Sequence, residues 1–93
     1  GAVEIFDIRN LEAFRAGHIL QSKSTREADL LSEGSVLDKL SGESAVIVCS
    51  NGARSGRLVA QLKKHFNGVD VLVLSGGVDE WGRQNLPLQV GKK

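Results

Sequence analysis

Ninety-three residues are enough for one domain, the usual range being about 50–250. With 41% hydrophobic and 25% charged residues the composition is that of an ordinary globular protein, which excludes a disordered or fibrous chain. Twelve Lys+Arg against eleven Asp+Glu leave a net charge of +1, so no global field draws the chain to nucleic acid or an acidic membrane, and neither is an expected partner.

From the N-terminus, Val3–Ile8 is β-branched and apolar and predicts a buried strand. Asn10 is placed to cap a short helix over Leu11–Ala16, which Gly17 ends. His18-Ile19-Leu20 reads as a very short strand. Gln21–Thr25 is polar, and Arg26–Leu31 reads as a helix capped by Thr25 with Gly34 beyond its end. Ser35 is a candidate cap for a turn over Val36–Leu40 that stops at Gly42.

Ala45–Cys49 is the clearest strand, since an unbroken β-branched run predicts burial on both faces. It is also the longest apolar stretch, far below the ~18 residues that span a bilayer. Arg54–Phe66 has helical periodicity, with Leu58, Val59, Leu62 and Phe66 on one face and Lys63 and Lys64 near its end. Asn67-Gly68 closes it, and Val69–Leu74 predicts another buried strand. Ser75-Gly76-Gly77 leads into a short helix around Val78–Gln84, and Pro87 blocks further helix. Strands alternating with helices at this spacing predict one α/β domain with a parallel sheet.

Cys49 is the chain's only cysteine, which excludes an internal disulfide and any CxxC pair. His18 and His65 are too far apart in sequence to suggest a metal site. The chain has no Met and opens Gly1-Ala2-Val3, which reads as a processed or excised piece.

The chemistry concentrates in Cys49-Ser50-Asn51-Gly52-Ala53-Arg54-Ser55-Gly56, where a lone thiol ends a strand and a small-residue loop leads into a helix. In an open α/β sheet, ligands bind at the carboxyl ends of the strands. The loop amides and the positive end of the helix dipole make a concave anion site that also stabilises a thiolate. A free cysteine with a pKa of about 8.5 is only roughly 3% ionised at pH 7, and lowering it by two units takes about 2.7 kcal/mol. From Ser44 to Val69 there is no Asp or Glu, whereas Arg54, Arg57, Lys63 and Lys64 all lie there, so a basic segment surrounds the thiol. Two plainer readings compete. Cysteine at a strand end is often a small buried hydrophobe, and Asn51-Gly52 is a hairpin dipeptide. The hairpin would need a second strand, and helix follows instead.

With these residues in view, the chain resembles the rhodanese (sulfurtransferase) family from about Val3 to Pro87. Asp7-Ile8-Arg9 resembles the family's Asp-x-Arg, and Glu12-Ala13-Phe14-Arg15-Ala16-Gly17-His18-Ile19 its Glu-x-Phe-x-x-Gly-His-Ile. Cys49 to Ser55 is similar to the active loop Cys-x-x-Gly-x-Arg-Ser. Leu74-Ser75-Gly76-Gly77 with Trp81, then Leu86-Pro87, match its closing segments. Gln21-Ser22 replace the small Gly-Ala pair usual after His-Ile-x. Longer members also begin with an extra strand and helix, which suggests the short single-domain type or a domain of a longer, membrane-anchored protein.

The resemblance implies a three-layer α/β sandwich, a small central parallel sheet flanked by helices. It also implies sulfur transfer from an anionic donor such as thiosulfate to a thiol or cyanide, through a persulfide on catalytic Cys49. Ser50, Asn51, Gly52, Ala53, Arg54 and Ser55 would bind substrate, with Arg54 on the donor's sulfonate end. No cofactor or metal is implied, and a protein sulfur acceptor is a candidate partner. A cytoplasmic setting is the expectation, with a periplasmic or membrane-anchored one as the alternative. Asp7 and Arg9 are expected to tie strand ends together, and Trp81 to be core or a cleft wall. Two other functions stay open. One is a non-catalytic sulfur-carrier or docking module. The other is a cysteine phosphatase or arsenate reductase, whose loop needs five residues between Cys and Arg, where four stand here and Ser55 takes the Arg position.

Overall fold

A computed structural model describes residues 3–32, 36–40, 43–66 and 68–91. Strands β1 (Val3–Asp7), β3 (Lys23–Ser24), β4 (Ser44–Val48) and β5 (Asp70–Val73) form a parallel sheet in the order β3-β1-β4-β5. A second, antiparallel pair joins β2 (His18–Ile19) to β6 (Leu88–Gln89). Four helices connect the strands: α1 (Leu11–Ala16), α2 (Glu27–Leu31), α3 (Ala53–His65) and α4 (Gly77–Arg83), with a 3₁₀ turn at Val36–Lys39.

The period-two alternation of the strands divides the interior. Phe6, Ile47 and Cys49 point to the larger core, where they meet Leu30 of α2 and Leu58 and Leu62 of α3. Ile5, Val46 and Val48 point the other way, to Ile19, Val78 of α4 and Trp81. Helices thus cover both faces of the sheet, the expected α/β layering. Full burial of side chains such as Phe6 or Leu62 contributes roughly 1.5–3 kcal/mol each.

Asn10 does cap α1, its Oδ1 accepting from the Ala13 amide at 2.7 Å. Three expectations change. Arg26 is the N-cap of α2 and no side chain caps it; the Thr25 hydroxyl donates instead to the Lys23 carbonyl at 3.3 Å. The segment Val69–Leu74 is not buried throughout. It forms the edge strand β5, which has only β4 as a neighbour, so Val71 is buried while Leu72 and Val73 are exposed. Strands β3 and β6, two residues each and exposed, follow from pairing with β1 and β2 rather than from any apolar run. The roles read for Gly34, Ser35, Gly42 and Asn67 fall outside the described residues. No helix among the described residues is long and apolar enough to cross a membrane.

Candidate active site

Parallel strands deliver their carboxyl ends to one rim of the sheet, and Cys49 sits there directly after β4. The residue is 2% exposed. The loop turns back over the sulfur because Gly52 takes the left-handed region, at φ 94°. A Cβ at Gly52 would also stand 3.3 Å from the Gly76 amide, so glycine serves here on two counts. The turn aims two amides at the sulfur: Gly52 N–H donates to Sγ at 3.1 Å and Ser55 N–H at 3.4 Å. The Asn51 amide adds a third favourable dipole.

Burial is the largest single influence on the Cys49 thiol and pushes its pKa up. The Ser55 hydroxyl and the amides of Ser55, Gly52 and Asn51 oppose it, and together they bring the pKa below the ordinary value for a thiol. Ser55 Oγ is buried with no hydrogen bond of good geometry, so its hydroxyl is free to turn toward the sulfur.

Of the remaining loop residues, Asn51 Oδ1 accepts from the Ala53 amide at 3.0 Å, which turns that amide away from the sulfur. Ser50 contributes its carbonyl, which accepts from the Asp79 amide at 2.8 Å, while the Cys49 carbonyl accepts from Val78 at 2.9 Å. The first turn of α4 therefore holds the carbonyls at the start of the turn, fixing the peptide plane whose N–H belongs to Asn51. This support requires Gly77, where a Cβ would overlap the carbonyl oxygens of Cys49 and Ser50. The Gly76-Gly77 pair was the signal for it in the sequence.

Arg54 is placed differently from the simple expectation. Its Nη2 donates to Glu27 Oε2 at 2.7 Å and to the Ile8 carbonyl at 3.4 Å, joining α3 to α2 and to the end of β1. The Glu27 hydrogen bond is the main reason its pKa is raised, and Cys49 adds a smaller attraction. Glu27 was not legible as a site residue: it is an exposed-helix acid 27 positions away, with no spacing to betray the pairing.

The other polar candidates are structural. Asp7 is fully buried and clasps Arg9, whose Nη2 donates to Asp7 Oδ2 at 2.8 Å and to the Gly17 carbonyl at 2.7 Å. They tie β1 to the turn after α1, as expected. His18 is buried, stacked on Phe14 at 3.8 Å between ring centroids, with Nδ1 2.8 Å from the Phe14 carbonyl. His65 lies at the far end of α3 from Cys49. Neither histidine hydrogen-bonds to the Cys49 sulfur among the described residues. Trp81 packs in the smaller core and donates from Nε1 to the Pro87 carbonyl at 2.9 Å. No group of three metal-binding side chains occurs among the described residues.

A family model described as Rhodanese-like domain matches residues 1–84. Among solved structures, a rhodanese-related protein from Thermoplasma volcanium superposes with a TM-score of 0.77 at 21% identity, covering 95% of this chain and 84% of that one. A thiosulfate sulfurtransferase from Pseudomonas aeruginosa gives 0.78 at 19% identity, over 98% of this chain but only 17% of the larger protein. A rhodanese-like domain protein from Staphylococcus aureus gives 0.73 at 28% identity, over 97% and 82%. No curated protein matches the chain by sequence.

Proposed function

Since the chain belongs to the rhodanese-like domain family, we propose that it is a sulfurtransferase working through a persulfide on Cys49. The observation that carries this reading is the pair of amides, from Gly52 and Ser55, donating to a sulfur whose pKa is thereby lowered. The Cys49 thiolate attacks the outer sulfur of a sulfane donor. With thiosulfate, the S–S bond breaks, its electron pair leaves on sulfite, and Cys49–S–S⁻ remains. A thiolate or cyanide then attacks the outer sulfur, and Cys49 departs as thiolate. The inward amides receive the negative charge in both directions, a preorganised stabilisation that costs no rearrangement during reaction. A thiol with a lowered pKa gives up its proton more readily and leans less on a general base, and neither histidine hydrogen-bonds to it among the described residues. Ser50, Asn51, Ala53 and Arg54 complete the rim on which donor and acceptor sit, and a protein thiol is one class of acceptor.

Intact mass tests the reading. Treatment with thiosulfate is expected to add about 32 Da, one sulfur atom on the only thiol, and cyanide to remove it. Cys49→Ser is expected to abolish the gain while keeping the thermal midpoint of the parent. Absence of the gain in the parent, with thiosulfate or any other sulfane donor, would leave a protein-docking module.

A further inference from the structure

We infer that Glu27 sets the donor preference of this site, disfavouring donors that carry a sulfonate and favouring persulfides whose leaving end is uncharged. The inference rests on the persulfide reading above. Arg54 is the one cation of the loop, and in the structure its Nη2 is already engaged and its charge paired: Glu27 Oε2 lies 2.7 Å from Nη2 and the Ile8 carbonyl 3.4 Å away. Glu27 has no other ion-pair partner among the described residues. Cys49 thiolate, Arg54 and Glu27 together carry a net charge of −1. The carboxylate thus cancels the charge that would otherwise attract an anion to the thiol.

The two donor classes meet this arrangement differently. An alkyl persulfide R–S–S⁻ has its single charge on the outer sulfur, the atom that Cys49 attacks. The bond between the two donor sulfurs breaks, its electron pair leaves as R–S⁻, and the outer sulfur stays on Cys49 with its charge facing the amides. No part of that exchange calls on Arg54. Thiosulfate instead presents a sulfonate that leaves as sulfite, and the cation available to bind it is shared with the Glu27 carboxylate, which offsets the attraction. Glu27 acts through Arg54 and touches neither sulfur, so it is a positioning residue. The pair is half-exposed, with side chains 49% and 38% accessible, so the exchange of partners is within reach of an incoming oxyanion.

Glu27→Gln keeps the size and a hydrogen-bond acceptor for Arg54 while removing the charge. Rates of Cys49 persulfide formation, followed by rapid-quench intact mass, are measured against thiosulfate and against 2-hydroxyethyl persulfide. For Glu27→Gln the rate at low thiosulfate is expected to rise about threefold to fivefold, the scale on which an exposed ion pair acts. The gain should lie in half-saturation rather than in the limiting rate. The rate with the alkyl persulfide should change less than about twofold, and sulfate, an unreactive oxyanion, should inhibit the variant at correspondingly lower concentration. A thiosulfate rate that is unchanged or lower, or an equal rise with both donors, overturns the inference while leaving the persulfide reading standing. Failure of the parent to take sulfur from either donor overturns both.

Discussion

Burial alone raises the pKa of a thiol, and Cys49 bears that cost at 2% exposure. What reverses it is local: amides from three neighbouring residues and one hydroxyl, all within six positions of the sulfur. Ser55 supplies two of these influences, and its hydroxyl has no other partner. Ser55→Ala keeps the amide and removes the hydroxyl, so the pH at which Cys49 is half-alkylatable by iodoacetamide should move upward. The thermal midpoint should stay within a few degrees of the parent's, because the substitution removes one hydroxyl–sulfur hydrogen bond, roughly 0.5–1.5 kcal/mol, and keeps the packing. An unmoved alkylation profile would remove the hydroxyl from the account. The amide donors were legible in the sequence, since Gly52 and the small loop residues mark a backbone folded close upon itself. The fate of the Arg54 side chain was not. Its partner comes from α2 by tertiary packing, which no local pattern encodes.

At the scale of elements, the loop depends on α4 as much as on α3. The amides of Val78 and Asp79 take the carbonyls of Cys49 and Ser50, so the start of the turn, including the peptide plane that carries the Asn51 N–H, is held from behind. Gly77→Ala would drive a Cβ into those carbonyls. The expected cost is roughly 2–4 kcal/mol, the range of severe steric and backbone substitutions, lowering the thermal midpoint by roughly 10–30 °C. The alkylation profile of Cys49 should shift up as the amides lose aim. A midpoint within about 2 °C of the parent would show that the contact is accommodated without strain. The elements themselves were largely readable: β1, α1, β4 and α3 are each specified by an apolar period with a cap or glycine beside it. Strands β3 and β6 were not, because two exposed residues carry no period and become strands only by pairing. Strand β5 read as buried because its composition is apolar, but composition cannot tell a central strand from an edge.

For the molecule as a whole, the parallel sheet brings the ends of β1 and β4 to one rim, with the first turns of α2, α3 and α4 gathered there. The net charge of +1 hides an uneven distribution along the sequence, an acid-free stretch from Ser44 to Val69 to which the fold adds one carboxylate, Glu27, paired with Arg54. This frame lowers the Cys49 pKa below that of an ordinary thiol. The direct test is the pH dependence of Cys49 alkylation by iodoacetamide in the folded protein, with the urea-unfolded chain as reference. Alkylation follows the thiolate fraction, so a lowered pKa places the folded protein's half-rise at a lower pH than the unfolded chain's. Coincident curves, or a folded curve displaced to higher pH, would contradict the account.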